Sequence, residues 1–106
     1  MAGDAVRVGR LDDMASGTAR RVEVGDRWVA LVRIGDEVFA IGDTCSHEDY
    51  SLSEGDVLVE ECEIECWKHG STFDLRTGEP QTLPATKAVP VYTVHIVDGD
   101  VMVDLP

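Results

Sequence analysis

Two short stretches hold the residues whose types and spacing could do chemistry: Cys45-Ser46-His47 and Cys66-Trp67-Lys68-His69-Gly70, separated by positions 48–65. Each presents one thiolate and one imidazole in a context suited to a tight loop. A Cys-x-His paired with a Cys-x-x-His is a set of soft and borderline ligands that asks for a metal centre. Two occupants compete for it. One is zinc with two sulfurs and two nitrogens, and the other is a [2Fe–2S] cluster whose irons are ligated differently. Zinc domains with this ligand number are usually much smaller, because the metal replaces a core. Here 43% of 106 residues are hydrophobic, enough to fold without one. Zinc cysteines also usually come as Cys-x-x-Cys knuckles, whereas each loop here offers one sulfur and one nitrogen. That mixed pairing suits a two-iron cluster gripped from both sides, with a structural zinc module as the alternative.

The chain that must position these ligands reads as one domain spanning 1–106. Its formal net charge is -12, from 21 acidic against 9 basic residues. Nucleic acid is a poor partner for such a chain, since phosphate binding needs a basic face. An anionic membrane surface is excluded for the same reason. A protein partner with a basic docking patch fits better, because complementary charge speeds encounter. Met1-Ala2-Gly3-Asp4 meets charge at once, and no apolar run follows. Neither a secretory signal nor a membrane span is expected. The cysteine count of three argues against a disulfide framework and for a reducing cytoplasm.

Short β-prone runs broken by turn residues fill the chain to about Val97. Ala5-Val6-Arg7-Val8 alternates and opens the first sheet, and Leu11 to Thr18 reads as a polar loop. Ala19 to Val24 sets Arg21 and Glu23 against Val22 and Val24, as a half-exposed strand does. Trp28 to Ile34 is the most apolar run and reads as a central strand. Gly35-Asp36-Glu37 makes the hairpin to Val38-Phe39-Ala40-Ile41. Beyond the first ligand loop, Val57-Leu58-Val59 is a short strand. Glu61-Cys62-Glu63-Ile64-Glu65 alternates strictly, with three carboxylates on one face and Cys62 and Ile64 on the other, and feeds into Cys66. Thr72 to Leu75 is a strand, Arg76 to Pro80 a turn, and Leu83-Pro84-Ala85-Thr86 a rigid apolar loop. Val91 to Val97 alternates, and Asp98-Gly99-Asp100 turns it into Val101 to Leu105. Apolar residues nowhere recur at helical spacing over more than a turn. The expected fold class is all-β, an antiparallel sandwich or small barrel with the two ligand loops together at one end.

With these residues in view, the chain resembles the Rieske-type [2Fe–2S] ferredoxins, in which Cys-x-His and Cys-x-x-His bind one cluster. The likeness covers nearly the whole length, including the Phe-Asp-Leu-Arg-Thr-Gly-Glu-Pro stretch at 73–80 and the proline loop. The resemblance implies a Rieske-like fold with a cluster-binding part at about 43–86 and one cluster per chain. It implies that Cys45 and Cys66 hold one iron and that His47 and His69 hold the other. His47 and His69 would then sit at the domain tip, shielded on one side by Leu83-Pro84-Ala85. In high-potential members a serine and a tyrosine after the second histidine donate hydrogen bonds towards the cluster. Ser71 stands at the serine position, but Phe73 replaces the tyrosine and has no hydroxyl. The expected potential lies in the lower half of the Rieske range, on the order of -150 to +300 mV. Trp67 covers the cluster, forms part of a docking surface, or merely packs its loop. Lys68 helps orient a partner or is simply solvated.

Three further features have bland readings. Cys62 is expected to face inward as a small buried hydrophobe. His95, on the Val91, Thr93 and Val97 face, is expected to be structural or half exposed. Glu60, Glu61, Glu63 and Glu65 form a solvated strand face or an acidic docking patch. Rieske oxygenases add a mononuclear iron held by two histidines and a carboxylate, and after His47 and His69 only His95 is left. No nucleotide-binding glycine motif is present. The expected role is a stand-alone one-electron shuttle, not an enzyme, between a flavoprotein reductase and a terminal oxygenase or another redox enzyme. An accessory role in iron–sulfur cluster assembly or sensing is the second reading.

Overall fold

The computed structural model describes residues 5–44, 51–67, 70–81 and 87–104. Its strands are β1 (Ala5–Arg10), β2 (Thr18–Val24), β3 (Arg27–Ile34), β4 (Glu37–Gly42), β5 (Asp56–Leu58), β6 (Glu63–Glu65), β7 (Thr72–Asp74), β8 (Val91–Tyr92), β9 (Val94–Val97) and β10 (Asp100–Asp104). Single 3-10 turns at Leu11–Asp13 and Leu52–Glu54 are the only helical elements among the described residues. The strands form three antiparallel sheets, ordered β1-β10-β9, β2-β3-β4-β8 and β5-β6-β7. The all-β, antiparallel expectation is met.

The middle sheet explains the most apolar run in the sequence. Along β3 the side chains alternate between two cores: Val29 and Leu31 pack with Val101 and Val103, while Ala30 and Val32 pack with Leu52 and Ile64. A strand covered on both faces must be apolar at every position, so its hydrophobicity is continuous instead of alternating. Ala40 and Ile41 of β4 divide between the same two cores. The first core joins the four-stranded sheet to β5-β6-β7, and the second joins it to β1-β10-β9.

The β5-β6-β7 unit is an insertion between β4 and β8, strands that are neighbours in the middle sheet. The chain leaves at Gly42 and returns at Pro90, where the Gly42 N–H donates to the Pro90 carbonyl at 2.8 Å. A Cβ on Gly42 would stand 2.9 Å from Pro90 Cδ, so only glycine lets the two crossings run this close.

Two strand readings need correction. The alternation at 61–65 does not make one strand, because β6 begins only at Glu63. Leu58 pairs with Glu63, so residues 59–62 must reverse the chain, and Cys62 takes the left-handed conformation with φ 57°. The period-2 pattern ran through a turn whose special residue is a cysteine, where glycine or asparagine would have signalled it. The run Val91–Val97 likewise divides at Thr93, because β8 pairs with β4 while β9 pairs with β10. Alternation survives a change of sheet, whereas the hydrogen-bonding partner does not. The stretch read as a loop at 11–18 also contains the short 3-10 turn at its start.

Candidate metal centre

The second ligand loop is the connection from β6 to β7. Ile64 is fully buried and sets the strand's inward face, and Cys66 follows two residues later, also fully buried. The Cys66 N–H donates to the Ser71 carbonyl at 2.7 Å, and the Gly70 N–H donates to the Cys66 carbonyl at 2.9 Å. Gly70, at φ 74°, supplies the backbone conformation that closes this loop. Its root is therefore fixed by its own backbone. Trp67, at the loop's outer side, is 49% exposed, so it is presented to solvent instead of being sunk in the core.

Ser71 and Phe73 are both fully buried. Phe73 lies opposite Ile64 and bridges to Pro80, so a phenyl ring fills the site where the resemblance would place a tyrosine. Asp74 then organises the turn at 76–78. Its Oδ1 accepts the N–H groups of Arg76 at 2.7 Å and Thr77 at 3.2 Å, as an Asx turn requires. Gly78, at φ 75°, comes against the segment leading into β8 so closely that a Cβ would lie 2.1 Å from the Val89 carbonyl oxygen.

The first ligand loop has described residues only at its two ends, and these are tied together. Thr44 and Ser51 form a β-bridge. The Asp43 carboxylate, almost completely buried, accepts from Ser51 Oγ at 2.5 Å and from the Ser53 N–H at 3.0 Å. Arg21 Nε stands 3.3 Å from Asp43 Oδ2, and its guanidinium carbon lies 3.9 Å from the centroid of the Trp28 ring. Sequence reasoning missed Asp43, Ser51 and Ser53. A signal was available, since an aspartate just before a ligand loop and two serines just after it are residues that hydrogen-bond nearby backbone.

The two loop roots converge. Leu52, immediately after the first loop, is fully buried in the same core as Ile64, Cys66 and Phe73. Gly55 packs so tightly on the end of β6 that a Cβ there would lie 1.7 Å from the Glu65 carbonyl oxygen. Glu65 directly precedes Cys66, so the segment leaving loop one touches the segment entering loop two. Of the four predicted ligands, Cys66 is described; Cys45, His47 and His69 lie outside the described residues, as do Pro84 and Lys68. A buried thiol at a rigid loop root, beside the root of a second loop carrying a cysteine and a histidine, is a donor set that fits a metal cluster.

The remaining candidates lie apart from the two loop roots or line the sheet beside them. Cys62 is buried in the core, and burial raises its thiol pKa above the ordinary 9.0, with Arg76 opposing the shift. His95 Nε2 lies 3.0 Å from Asp104 Oδ1 on the outer sheet. Glu60 and Glu61 are exposed, while Glu63 and Glu65 are half-buried. Glu65 sits opposite Asp56 and Glu63 opposite Asp74, so like charges face each other across this small sheet. Among the described residues, no helix is long and apolar enough to cross a membrane.

Comparison with known proteins adds independent findings. The family model of the Rieske [2Fe-2S] domain matches residues 4–93. The chain is 40% identical over 94 residues to the 3-phenylpropionate/cinnamic acid dioxygenase ferredoxin subunit of Escherichia coli K12, covering 89% of this chain and 87% of that one. It resembles the solved ferredoxin of carbazole 1,9a-dioxygenase from Nocardioides aromaticivorans IC177 with a TM-score of 0.95 and 37% identity. That match covers 96% of this chain and 98% of the other. A similar chain, at 40% identity and a TM-score of 0.87, occurs in a complex of reduced oxygenase and oxidized ferredoxin in carbazole 1,9a-dioxygenase, covering 94% of this chain and 92% of that one.

Proposed function

The chain belongs to the Rieske [2Fe–2S] domain family, and from that premise we propose that Cys45 and Cys66 hold one iron of its cluster while His47 and His69 hold the other. The protein is an electron carrier, a ferredoxin of the kind that serves ring-hydroxylating dioxygenases, and it is not itself the catalyst. When bound, the cluster supplies one electron at a time, at a potential on the order of -150 to +300 mV. The chain's own residues fix where that happens. Cys66 is presented from a loop root closed by its own backbone, and Cys45 and His47 come from a loop whose ends Asp43 ties together. The observation that carries the assignment is the contact of Gly55 with Glu65, which sets the roots of the two ligand loops side by side.

We take the cluster-bearing part to be about 43–86 within a single 1–106 domain, a reading supported by the insertion that leaves at Gly42 and returns at Pro90. The electron acceptor is a terminal oxygenase, a reading supported by the related ferredoxin found in complex with one. The donor is a flavoprotein reductase, and both partners meet the acidic chain with basic docking patches in the cytoplasm. Neither a zinc module nor a cluster-assembly accessory finds support among the relatives, which are dioxygenase ferredoxins.

Aerobic purification gives the decisive measurement. A red-brown protein with iron and sulfide in equal amounts, and the EPR spectrum of a reduced histidine-ligated cluster, is expected. Cys45→Ser, His47→Ala, Cys66→Ser and His69→Ala should each abolish that spectrum. A colourless chain carrying one zinc would overturn the assignment. Rapid reduction by a flavoprotein reductase, with oxygenase turnover downstream, tests the electron path.

A further inference from the structure

We propose that Asp43 is a positioning residue for the first ligand loop and that Arg21, held over Trp28, balances its charge so that closing the loop does not oppose reduction of the cluster. The proposal rests on the assignment of Cys45 and His47 as cluster ligands.

Asp43 connects three segments through every polar group it has. Its N–H donates to the Trp28 carbonyl at 3.1 Å, which ties it to β3. Its carbonyl accepts the Leu52 N–H at 2.5 Å, and its carboxylate accepts from Ser51 and Ser53. Both ends of the segment 45–50 are thus pinned to one residue. A carboxylate suits this task because it only accepts, and it can accept at both oxygens at once.

The same choice carries an electrostatic cost. Two peptide units span at most about 7 Å, so a charge on Asp43 is placed close to Cys45. A buried carboxylate there disfavours the extra electron of the reduced state, unless a cation offsets it. Arg21 is that cation. Its Nε is 3.3 Å from Oδ2, and Trp28, across the β2–β3 ladder, restricts where the guanidinium can go. The indole is 47% exposed, which is a poor place for tryptophan as a core residue and a good one for a platform under a surface cation. Arg21 is itself half exposed, so solvent screens part of its effect.

The test uses the cluster-loaded full chain, with loading checked by iron and sulfide content, and reads midpoint potentials by film voltammetry. Arg21→Gln should lower the potential and Asp43→Asn should raise it. Each shift should correspond to about three- to tenfold in the reduction equilibrium constant, or about 30–60 mV for one electron. The double variant should return close to the unmodified protein. Arg20→Gln, whose guanidinium lies beside Gly9 on the other face of β2, is the control and should leave the potential in place. Shifts of the same sign, no shift in Arg21→Gln, or an equal shift in the control would overturn the proposal. Should Asp43→Asn fail to load, Arg21→Gln and its control decide alone: a downward shift that shrinks with added salt supports the proposal, and an unmoved potential refutes it. An unmodified chain purified without any cluster would refute the ligand assignment instead.

Discussion

Phe73 shows how much one side chain can say about potential. It is fully buried beside the root of the second ligand loop, and where the resemblance to high-potential members would place a tyrosine it has no hydroxyl. A donor aimed at the cluster stabilises the more negative reduced state, and a hydrogen bond to a charged group is worth about 1.5 kcal/mol or more. Phe73→Tyr should therefore raise the midpoint by roughly 60 mV for one electron, and film voltammetry would show it; an unmoved potential would mean the added hydroxyl points elsewhere. Cys62 gives a different prediction. Its thiol pKa lies above 9.0 because it is buried. An acid whose folded pKa is raised keeps its full contribution below the unfolded value and loses it as pH climbs, because the unfolded chain ionises first. Urea midpoints should thus be flat in this respect up to about pH 9 and fall beyond it, less so in Cys62→Ala. At this scale the sequence speaks through residue type, offering Cys45, His47, Cys66 and His69 as candidate ligands, of which the structure describes Cys66, buried at its loop root. It was opaque at Asp43, whose partners are brought to it only by folding, and at Cys62, whose turn carries none of the usual turn residues.

Elements were read well where sterics and burial act on single strands. The apolar run 28–34 and the hairpin at 35–37 survive as β3 and its turn to β4, because a strand covered on two faces leaves an unmistakable signature. Elements whose limits are set by partners were read less well, since nothing within 91–97 marks the switch from one sheet to another at Thr93. Glycines carry the rest of the information at this scale. Gly55 has an ordinary φ of -86°, so its need for glycine comes from contact alone. A Cβ there would lie 1.7 Å from the Glu65 carbonyl oxygen, a backbone atom that cannot move without unpairing β6. Gly55→Ala should cost about 3 kcal/mol or more, a fall of at least roughly 12 °C in Tm, and cluster content should drop with it because the two loop roots are forced apart. Gly35→Ala is the comparison. Its φ of 61° is unfavourable for alanine, but the space around it is open, and a cost of about 1–2 kcal/mol with full cluster loading is expected. Equal losses in the two variants, read by circular dichroism melts, would show that the contact at Gly55 yields more easily than its geometry implies.

For the molecule as a whole, fold class and charge were both open to reading, because an all-β pattern needs only short alternating runs and a net charge needs only counting. The arrangement of charge was not. Within β5-β6-β7, Glu65 faces Asp56 and Glu63 faces Asp74. Pairs of like charge directly opposite each other destabilise a sheet, so the unit that bears the ligand loops concentrates acid where stability alone would disperse it. A charge of -12 extends that field into solvent and attracts a basic surface over about a Debye length. Raising ionic strength from about 0.01 to 0.15 M shortens that length from roughly 30 to 8 Å. Electron transfer with a basic partner should accordingly slow by about tenfold or more across this range when association limits the rate. Trp67, exposed in the second loop, should act at contact distance instead. Trp67→Ala is expected to reduce the rate at every salt concentration with the same salt slope. Stopped-flow traces at several ionic strengths separate the two contributions. A rate indifferent to salt would mean that partners are not steered by the acidic field and that short-range contacts such as Trp67 govern docking.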